Sequence, residues 1–136
     1  MKVAFATQDM QRCDAHFASA RNMAVYDISA DGWRFLEALQ FDTVTDQSGE
    51  HAEGEDRLLA KVDALAGCAI LFVLAIGGPA AARVIQRKVH PIKLPAPEPI
   101  SSVLERLQSQ LAGSPPPWMR KILNQGASQD FLDGDD

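Results

Sequence analysis

The chain has 136 residues, 46% hydrophobic and 23% charged, and its 13 Lys and Arg against 18 Asp and Glu give a formal net charge of -5. This length suits one domain around one core, and the negative net charge argues against binding to a nucleic-acid backbone. The first residues lack the pattern of an export signal, and the longest apolar run (residues 69–76) is too short to span a bilayer. Two cysteines are too few for a disulfide scaffold. We therefore expect a cytoplasmic protein that binds neither nucleic acid nor membrane.

The first half of the chain predicts a strand, an exposed loop and a hairpin. Residues 2–7 are apolar and free of Gly and Pro, and the polar residues 8–20 follow as a loop. Residues 21–28 and 33–41 predict two strands joined by the turn residues 29–32, although the second also has some helical character. Residues 45–57, including His51, are charged and without apolar periodicity, which predicts a solvated connection.

The second half predicts alternating helices and strands. An apolar helical face begins at Leu58, and Gly67 is expected to end the helix as a left-handed C-terminal cap. A buried strand over residues 68–76 follows. The turn Gly77-Gly78-Pro79 begins a second helix, residues 90–94 form a last strand, and residues 100–111 form a final helix. We expect one domain over residues 1–113, a Pro/Trp segment over 114–124 that docks on it, and a disordered acidic tail over 125–136.

This order of elements predicts an α/β fold with a five-stranded mixed sheet and helices on both faces. Numbered along the chain, the predicted strands take the order 3-2-1-4-5, with strands one, four and five parallel. In such a sheet a crevice opens beyond the carboxyl ends of strands one and four. The loop with His16 and the Gly77-Gly78-Pro79 turn both fall there, and free N–H groups at a helix start favour an anionic ligand.

His16 is the candidate ligand of this crevice, in a polar loop with Arg12, Cys13 and Arg21 nearby. An imidazole can bind a metal or an anion, yet most single loop histidines are ordinary surface residues. The position of His16 at the switch point, where the chain leaves strands one and four in opposite directions, is what favours a ligand role. Arg12, Arg21 and Arg83 either compensate a negatively charged ligand or are solvated surface residues. Cys13 is the one further candidate metal ligand near His16.

Other kinds of site fit the sequence poorly. A structural zinc site needs four ligands at recurrent spacing, whereas Cys68 and His90 each begin a parallel strand, at the end of the sheet opposite the crevice. A two-metal nuclease needs carboxylates on its first strand, and residues 3–6 offer none. Gly77-Gly78 lacks the Lys-Ser/Thr ending of a P-loop and the spacing of a dinucleotide-binding motif.

Several segments together resemble the NifX/NafY family of carriers in nitrogenase iron-molybdenum cofactor biosynthesis, with NifX the nearer branch. They are KVAFAT at the start, the D-x-H-F-x-S-A pattern of residues 14–20, AVYDI, and LAGCAILFVLAIGGPAAARVIQRKVHPIKL. The resemblance covers about residues 2–123, and its ordered combination is far more specific than any one piece.

The resemblance implies a ribonuclease-H-like, noncatalytic domain for nitrogen fixation. Such a protein binds an iron-sulfur precursor of the iron-molybdenum cofactor, or the cofactor itself, and passes it between cluster-donor proteins and the assembly scaffold. His16 matches the family histidine associated with cluster binding, with Arg12, Arg21, Gly77, Gly78 and Cys13 as supporting candidates. The family often has Gly where this chain has Ala18, which restricts the loop backbone. The alternative is a regulatory protein-interaction module of nitrogenase assembly that holds no cluster itself.

Overall fold

Continuous apolar segments form the centre of the sheet. The computed structural model describes residues 1–41 and 51–123, with only the backbone of residues 51–57. Strand β1 (Lys2–Thr7) is buried from its second residue onward, and a later strand, Ile70–Val73, is buried throughout and runs parallel beside it. Both strands lack the alternation of a half-exposed strand because helices cover both faces of the sheet at this point.

A hairpin and a short strand complete the sheet on its two sides. Strand β2 (Arg12–Cys13) lies outside this sheet, and β3 (Asn22–Ser29) pairs antiparallel with β1 and with β4 (Gly32–Gln40). The strand Ile70–Val73, β5, is parallel to β6 (His90–Lys93) on its other side. The order β4-β3-β1-β5-β6 confirms the predicted strand order and directions, and the second hairpin segment is a strand along its whole length.

Two separate cores hold helices on the two faces of the sheet. Helix α1 (His51–Ala64) and helix α2 (Gly78–Gln86) pack on one face, where Val62, Leu65 and Val84 are buried. Helix α3 (Ile100–Ala112) and a short helix over residues 117–123, α4, pack on the other face. The buried residues of this second core include Ile100, Val103, Leu104, Leu107 and Met119.

Gly67 ends the first helical segment in the left-handed conformation that its sequence position predicts. Its φ is +87, and the amide of Cys68 donates to the carbonyl of Leu65 at 2.9 Å. A left-handed residue closes the helix end because it turns the chain back onto the last carbonyls. The turn delivers Cys68, which is 5% exposed, into the core at the start of β5.

Three sequence predictions need correction. Helix α1 begins at His51, so residues 51–57 are helical where a solvated connection was predicted. Strand β5 is shorter than residues 68–76, because the chain beyond Val73 bonds to the loop after β1. That loop also contains β2, whose two residues pair with β7 (Glu98–Pro99) in a small second sheet.

The remaining predictions on organisation have mixed outcomes. The acidic tail, residues 125–136, lies outside the described residues. Met119 of the Pro/Trp segment is fully buried, and Trp118 stacks on His90 with ring centroids 5.3 Å apart. No helix among the described residues combines the length and apolar character that crossing a bilayer requires. The ribonuclease-H-like assignment rests on the family resemblance and stays a prediction.

Candidate functional site

The loop after β1 meets the chain leaving β5 at the place where the sequence predicts a crevice. The amide of Leu74 donates to the carbonyl of Ala15 at 3.0 Å, and the amide of Phe17 donates to the carbonyl of Ala75 at 2.9 Å. These bonds make a parallel bridge between His16 and Ala75. The switch point predicted from topology is therefore a place where the two loops are hydrogen-bonded to each other.

The bridge explains why His16 faces outward. Successive side chains of an extended segment point to opposite sides. Ala15 and Phe17, 2% and 1% exposed, are both in the core beneath α1 and α2. His16, between two buried neighbours, is exposed. Burial of its neighbours thus directs the imidazole into solvent.

Gln8 closes the ends of the loop that carries His16. Its amide donates to Asp14 Oδ1 at 2.8 Å, and its side-chain Nε2 donates to the carbonyl of Ser19 at 2.9 Å. The amide of Arg21 in turn donates to Gln8 Oε1 at 2.9 Å. A single side chain therefore ties the beginning of the loop to its end, which limits the conformations open to the residues between.

A turn at the start of the loop is held by two more polar side chains. Thr7, fully buried, accepts a bond from the amide of Met10 at 2.9 Å, and Met10 has a φ of +65. Asp9 Oδ1 accepts the amides of Gln11 and Arg12 at 2.8 and 2.9 Å. These two backbone bonds are the largest causes that lower the pKa of the Asp9 carboxyl, because they stabilise its charged form.

Lys61 reaches the loop from α1. It is 4% exposed, and its Nζ donates to the carbonyls of Phe17, Ala18 and Ala20 at 3.0, 2.7 and 2.9 Å. The same ammonium lies 5.4 Å from the ring centroid of Phe41. Three carbonyls of the segment just after His16 thus converge on one buried cation.

The start of α2 follows shortly after the bridge to His16. Gly77 is two residues beyond Ala75, about 7 Å along an extended chain. Gly77 and Gly78 are exposed, a Cβ on either would meet nothing within 4 Å, and no side chain caps the helix. Pro79 has no amide hydrogen, and the amide of Ala81 donates to the carbonyl of Gly77 at 2.9 Å. The first-turn amides without an acceptor inside the helix are therefore those of Gly78 and Ala80, and a helix start favours a negatively charged ligand.

Cys13 is separated from this crevice. It is fully buried in the core of the α3 face, beside Ile100 and Leu104. Burial, with a smaller effect of the negative charge of Asp14, raises the pKa of the Cys13 thiol to about 12. A metal ligand must be a thiolate at the surface of the site, so the structure does not bring Cys13 together with His16.

The predicted arginines are exposed. Arg12 forms an ion pair with Asp9 at 3.4 Å and lies in β2. Strand β2 pairs with β7, the short strand directly before α3, and not with the chain at the start of α2. Arg21 ends the His16 loop, where its backbone bonds to Gln8 and Phe41. Arg83 lies on the exposed side of α2. Of the three, Arg21 belongs to the loop that carries His16 and that Gln8 closes.

Gln8 and Lys61 were missed in the sequence analysis, and one of them left a signal. Leu58, Lys61 and Leu65 share a helical face at spacings of three and four residues, so Lys61 occupies a core-facing position. A lysine there must find polar partners inside the protein. Gln8 has no comparable signal, because its role depends on contacts with residues 14, 19 and 21 that only the folded loop creates.

The site has one exposed imidazole and no metal cage. Among the residues that the structure describes, no three His, Cys, Asp or Glu side chains are grouped so as to hold a metal ion. The exposed histidine instead lies on a loop that is hydrogen-bonded to the chain leading into α2. This arrangement suits a preassembled anionic group that arrives with most of its own ligands.

Comparison with known proteins gives a consistent family. A family model described as dinitrogenase iron-molybdenum cofactor matches residues 1–110. The chain is 56% identical to the NifX protein of Sinorhizobium fredii over 126 residues, which are 92% of this chain and 79% of that protein. It is 50% identical to NifX of Rhodobacter capsulatus over 96% of this chain and 82% of that protein.

More distant relatives share the same region. NifY of Azotobacter vinelandii is 35% identical over 96% of this chain, which spans 50% of NifY. The crystal structure of PH0822 matches with a TM-score of 0.59 and 21% identity, over 80% of this chain and 89% of that one, which supports the fold alone. The family model and the NifX relatives confirm the predicted resemblance, and the chain belongs to the dinitrogenase iron-molybdenum cofactor family.

Proposed function

We propose that this protein is a noncatalytic carrier that binds an iron-sulfur precursor of the iron-molybdenum cofactor, or the cofactor itself, and transfers it during cofactor biosynthesis. The observation that supports it most is the bridge between His16 and Ala75, which presents an exposed imidazole on a loop bonded to the chain that leads into α2. For a chain of the dinitrogenase iron-molybdenum cofactor family, an anionic metal cluster is the cargo that this site would bind. Its partners are then the cluster-donor proteins and the assembly scaffold.

The residues of the crevice divide the work of binding. His16 supplies one ligand to iron through an imidazole nitrogen, a borderline donor that suits this metal. The amides of Gly78 and Ala80, with the positive end of α2, stabilise the negative charge of the cluster. Arg21 adds positive charge at the loop closure. A single protein ligand leaves the cluster exchangeable, as transfer requires, whereas four thiolates would retain it.

Substitution of His16 tests the ligand. We expect His16→Ala to weaken binding of isolated iron-molybdenum cofactor by at least tenfold, since even the loss of an outer-shell partner costs about 10–100-fold in metal affinity. Anaerobic titration followed by absorption and electron paramagnetic resonance measures this change. His90→Ala, at the opposite end of the sheet, is the matched histidine control and should bind like the wild type. Equal affinity of wild type and His16→Ala for the cofactor would show that His16 is not a ligand to the cluster.

Gly77 tests the contribution of the helix start. A methyl group there meets open space, and its φ of -69 and ψ of 155 suit any residue, so Gly77→Ala should fold normally and be at least as stable as the wild type. The same methyl stands where the cluster must approach the backbone. We therefore expect weaker cofactor binding without a loss of stability, whereas unchanged binding would place the cluster away from α2.

A regulatory protein-interaction module that holds no cluster is the second candidate. Strand β4 lies at the edge of the sheet and exposes Phe35 and Leu36, 52% and 37% accessible, where another chain could pack. This candidate predicts that the protein copurifies with the assembly scaffold and acquires no cluster absorption in any anaerobic titration. Loss of that copurification in Phe35→Ser, with His16→Ala as the control, would favour it.

A further inference from the structure

Lys61 holds the backbone that follows His16. Phe17 donates its amide to Ala75 and accepts Lys61 Nζ at its carbonyl, so both polar groups of this residue are fixed. On the other side of His16, the carbonyl of Ala15 accepts the amide of Leu74. The peptide groups around His16 are therefore held from both sides, one of them by a side chain of α1.

We infer that Lys61 is a positioning residue for the cluster ligand: it fixes the main chain of residues 17–20 and through it the direction in which His16 is presented. The inference deepens the proposed function and rests on it for the identity of the cargo. Lys61 donates to the loop backbone just after His16, and in this inference it acts through His16 rather than as a ligand itself.

The chemistry of the contact explains why a lysine occupies this position. Three carbonyl oxygens point to one place, and their negative ends repel one another unless a donor lies between them. An ammonium has three donors on a compact charge, which matches this convergence. Two of the three bonds are buried, where loss of the donor leaves the carbonyls unsatisfied and favours a different loop conformation.

The expected effect on affinity follows from the population of the competent loop. If Lys61→Met reduces the fraction of molecules with an ordered loop to about a tenth, the apparent affinity for the cofactor falls about tenfold. Lys61→Arg retains the charge and can donate to the same carbonyls, so it should lose less. Lys121→Met removes the same charge from an exposed position in α4, on the other face of the sheet, and should bind like the wild type.

Two measurements test the inference. The first is amide hydrogen exchange of Phe17 and Leu74 in the cofactor-free protein, which should be faster in Lys61→Met and unchanged in Lys121→Met. The second is anaerobic titration with isolated iron-molybdenum cofactor, in which Lys61→Met should bind about tenfold more weakly. In a His16→Ala background the same substitution should cause little further loss, because its effect passes through His16.

The outcomes separate this inference from the proposed function. Unchanged exchange at Phe17 and Leu74 in Lys61→Met overturns the positioning role whether or not the protein binds a cluster. So does an equal loss of affinity in the presence and absence of His16. Failure of His16→Ala to alter binding removes the proposed ligand but leaves the exchange result standing. If Lys61→Met gives no cooperative unfolding transition, Lys61→Gln takes its place in both measurements.

Discussion

The buried thiol of Cys13 makes a quantitative prediction about stability at alkaline pH. In the folded protein burial raises the pKa of this thiol to about 12, from an ordinary value of 9.0. Between these two values the unfolded chain loses the proton while the folded chain keeps it. The unfolded state is therefore stabilised as pH rises, and the free energy of unfolding falls through this window.

The magnitude follows from the difference in pKa. A single such group lowers the free energy of unfolding by about 1.4 kcal/mol for each pH unit inside the window. Between about pH 8 and about pH 10.5 the Cys13 thiol alone then accounts for about 2 kcal/mol. Cys13→Ala removes this contribution, while its own cost in lost packing is the same at every pH.

The assay is urea unfolding of wild type and Cys13→Ala at a series of pH values, in the presence of a reductant. The difference between the two proteins isolates Cys13, because Cys68, whose pKa burial also raises, is present in both. We expect the wild type to lose stability more steeply, by about 2 kcal/mol over that range. Parallel curves would mean that the thiol is not protected in the core, and Cys13 would again be a candidate ligand beside His16.

The other predictions concern packing and the loop. Lys61→Met should lower the free energy of unfolding by about 2–4 kcal/mol, since it leaves buried carbonyls without their donor; chemical denaturation measures this, and a neutral result would mean that the carbonyls find other donors. Met119 is fully buried, so Met119→Ala should cost about 2–5 kcal/mol, with the exposed Leu123→Ala as control; equal values for the two would place α4 outside the domain. Thr7→Val removes the acceptor for the Met10 amide, so hydrogen exchange of that amide should be faster while the amides of β1 stay protected. Unchanged hydrogen exchange at Met10 would mean that the turn does not depend on Thr7.

Much of the fold is determined by local patterns that the sequence displays. The continuous apolar segment of β5 indicates burial on both faces, and Gly67 and Pro79 mark where helices end and begin. Periods of apolar residues depend on the geometry of one element alone, which is why they can be recognised without the rest of the chain. The start of α1 could not be recognised in this way, because residues 51–57 lack an apolar face.

The candidate site was predicted in part for the same reason. The position of His16 beyond β1 and of Gly77 beyond β5 follows from strand order, and strand order follows from the sequence of elements. Cys13 appeared beside His16 because the two are three residues apart. Short β pairings, at β2 for one and at Ala75 for the other, bury the first and expose the second.

The sequence by itself determined the family, the order of elements and the end of the sheet at which His16 lies. Only the tertiary structure decided how that histidine is presented: Ala15 and Phe17 turn into the core, Lys61 crosses from α1 to hold three carbonyls, and Cys13 is withdrawn into the opposite face. The physical reason is that these contacts join residues more than forty positions apart, such as Lys61 and Phe17. Local propensity has no information on such pairs, and only the packing of helix against loop creates them.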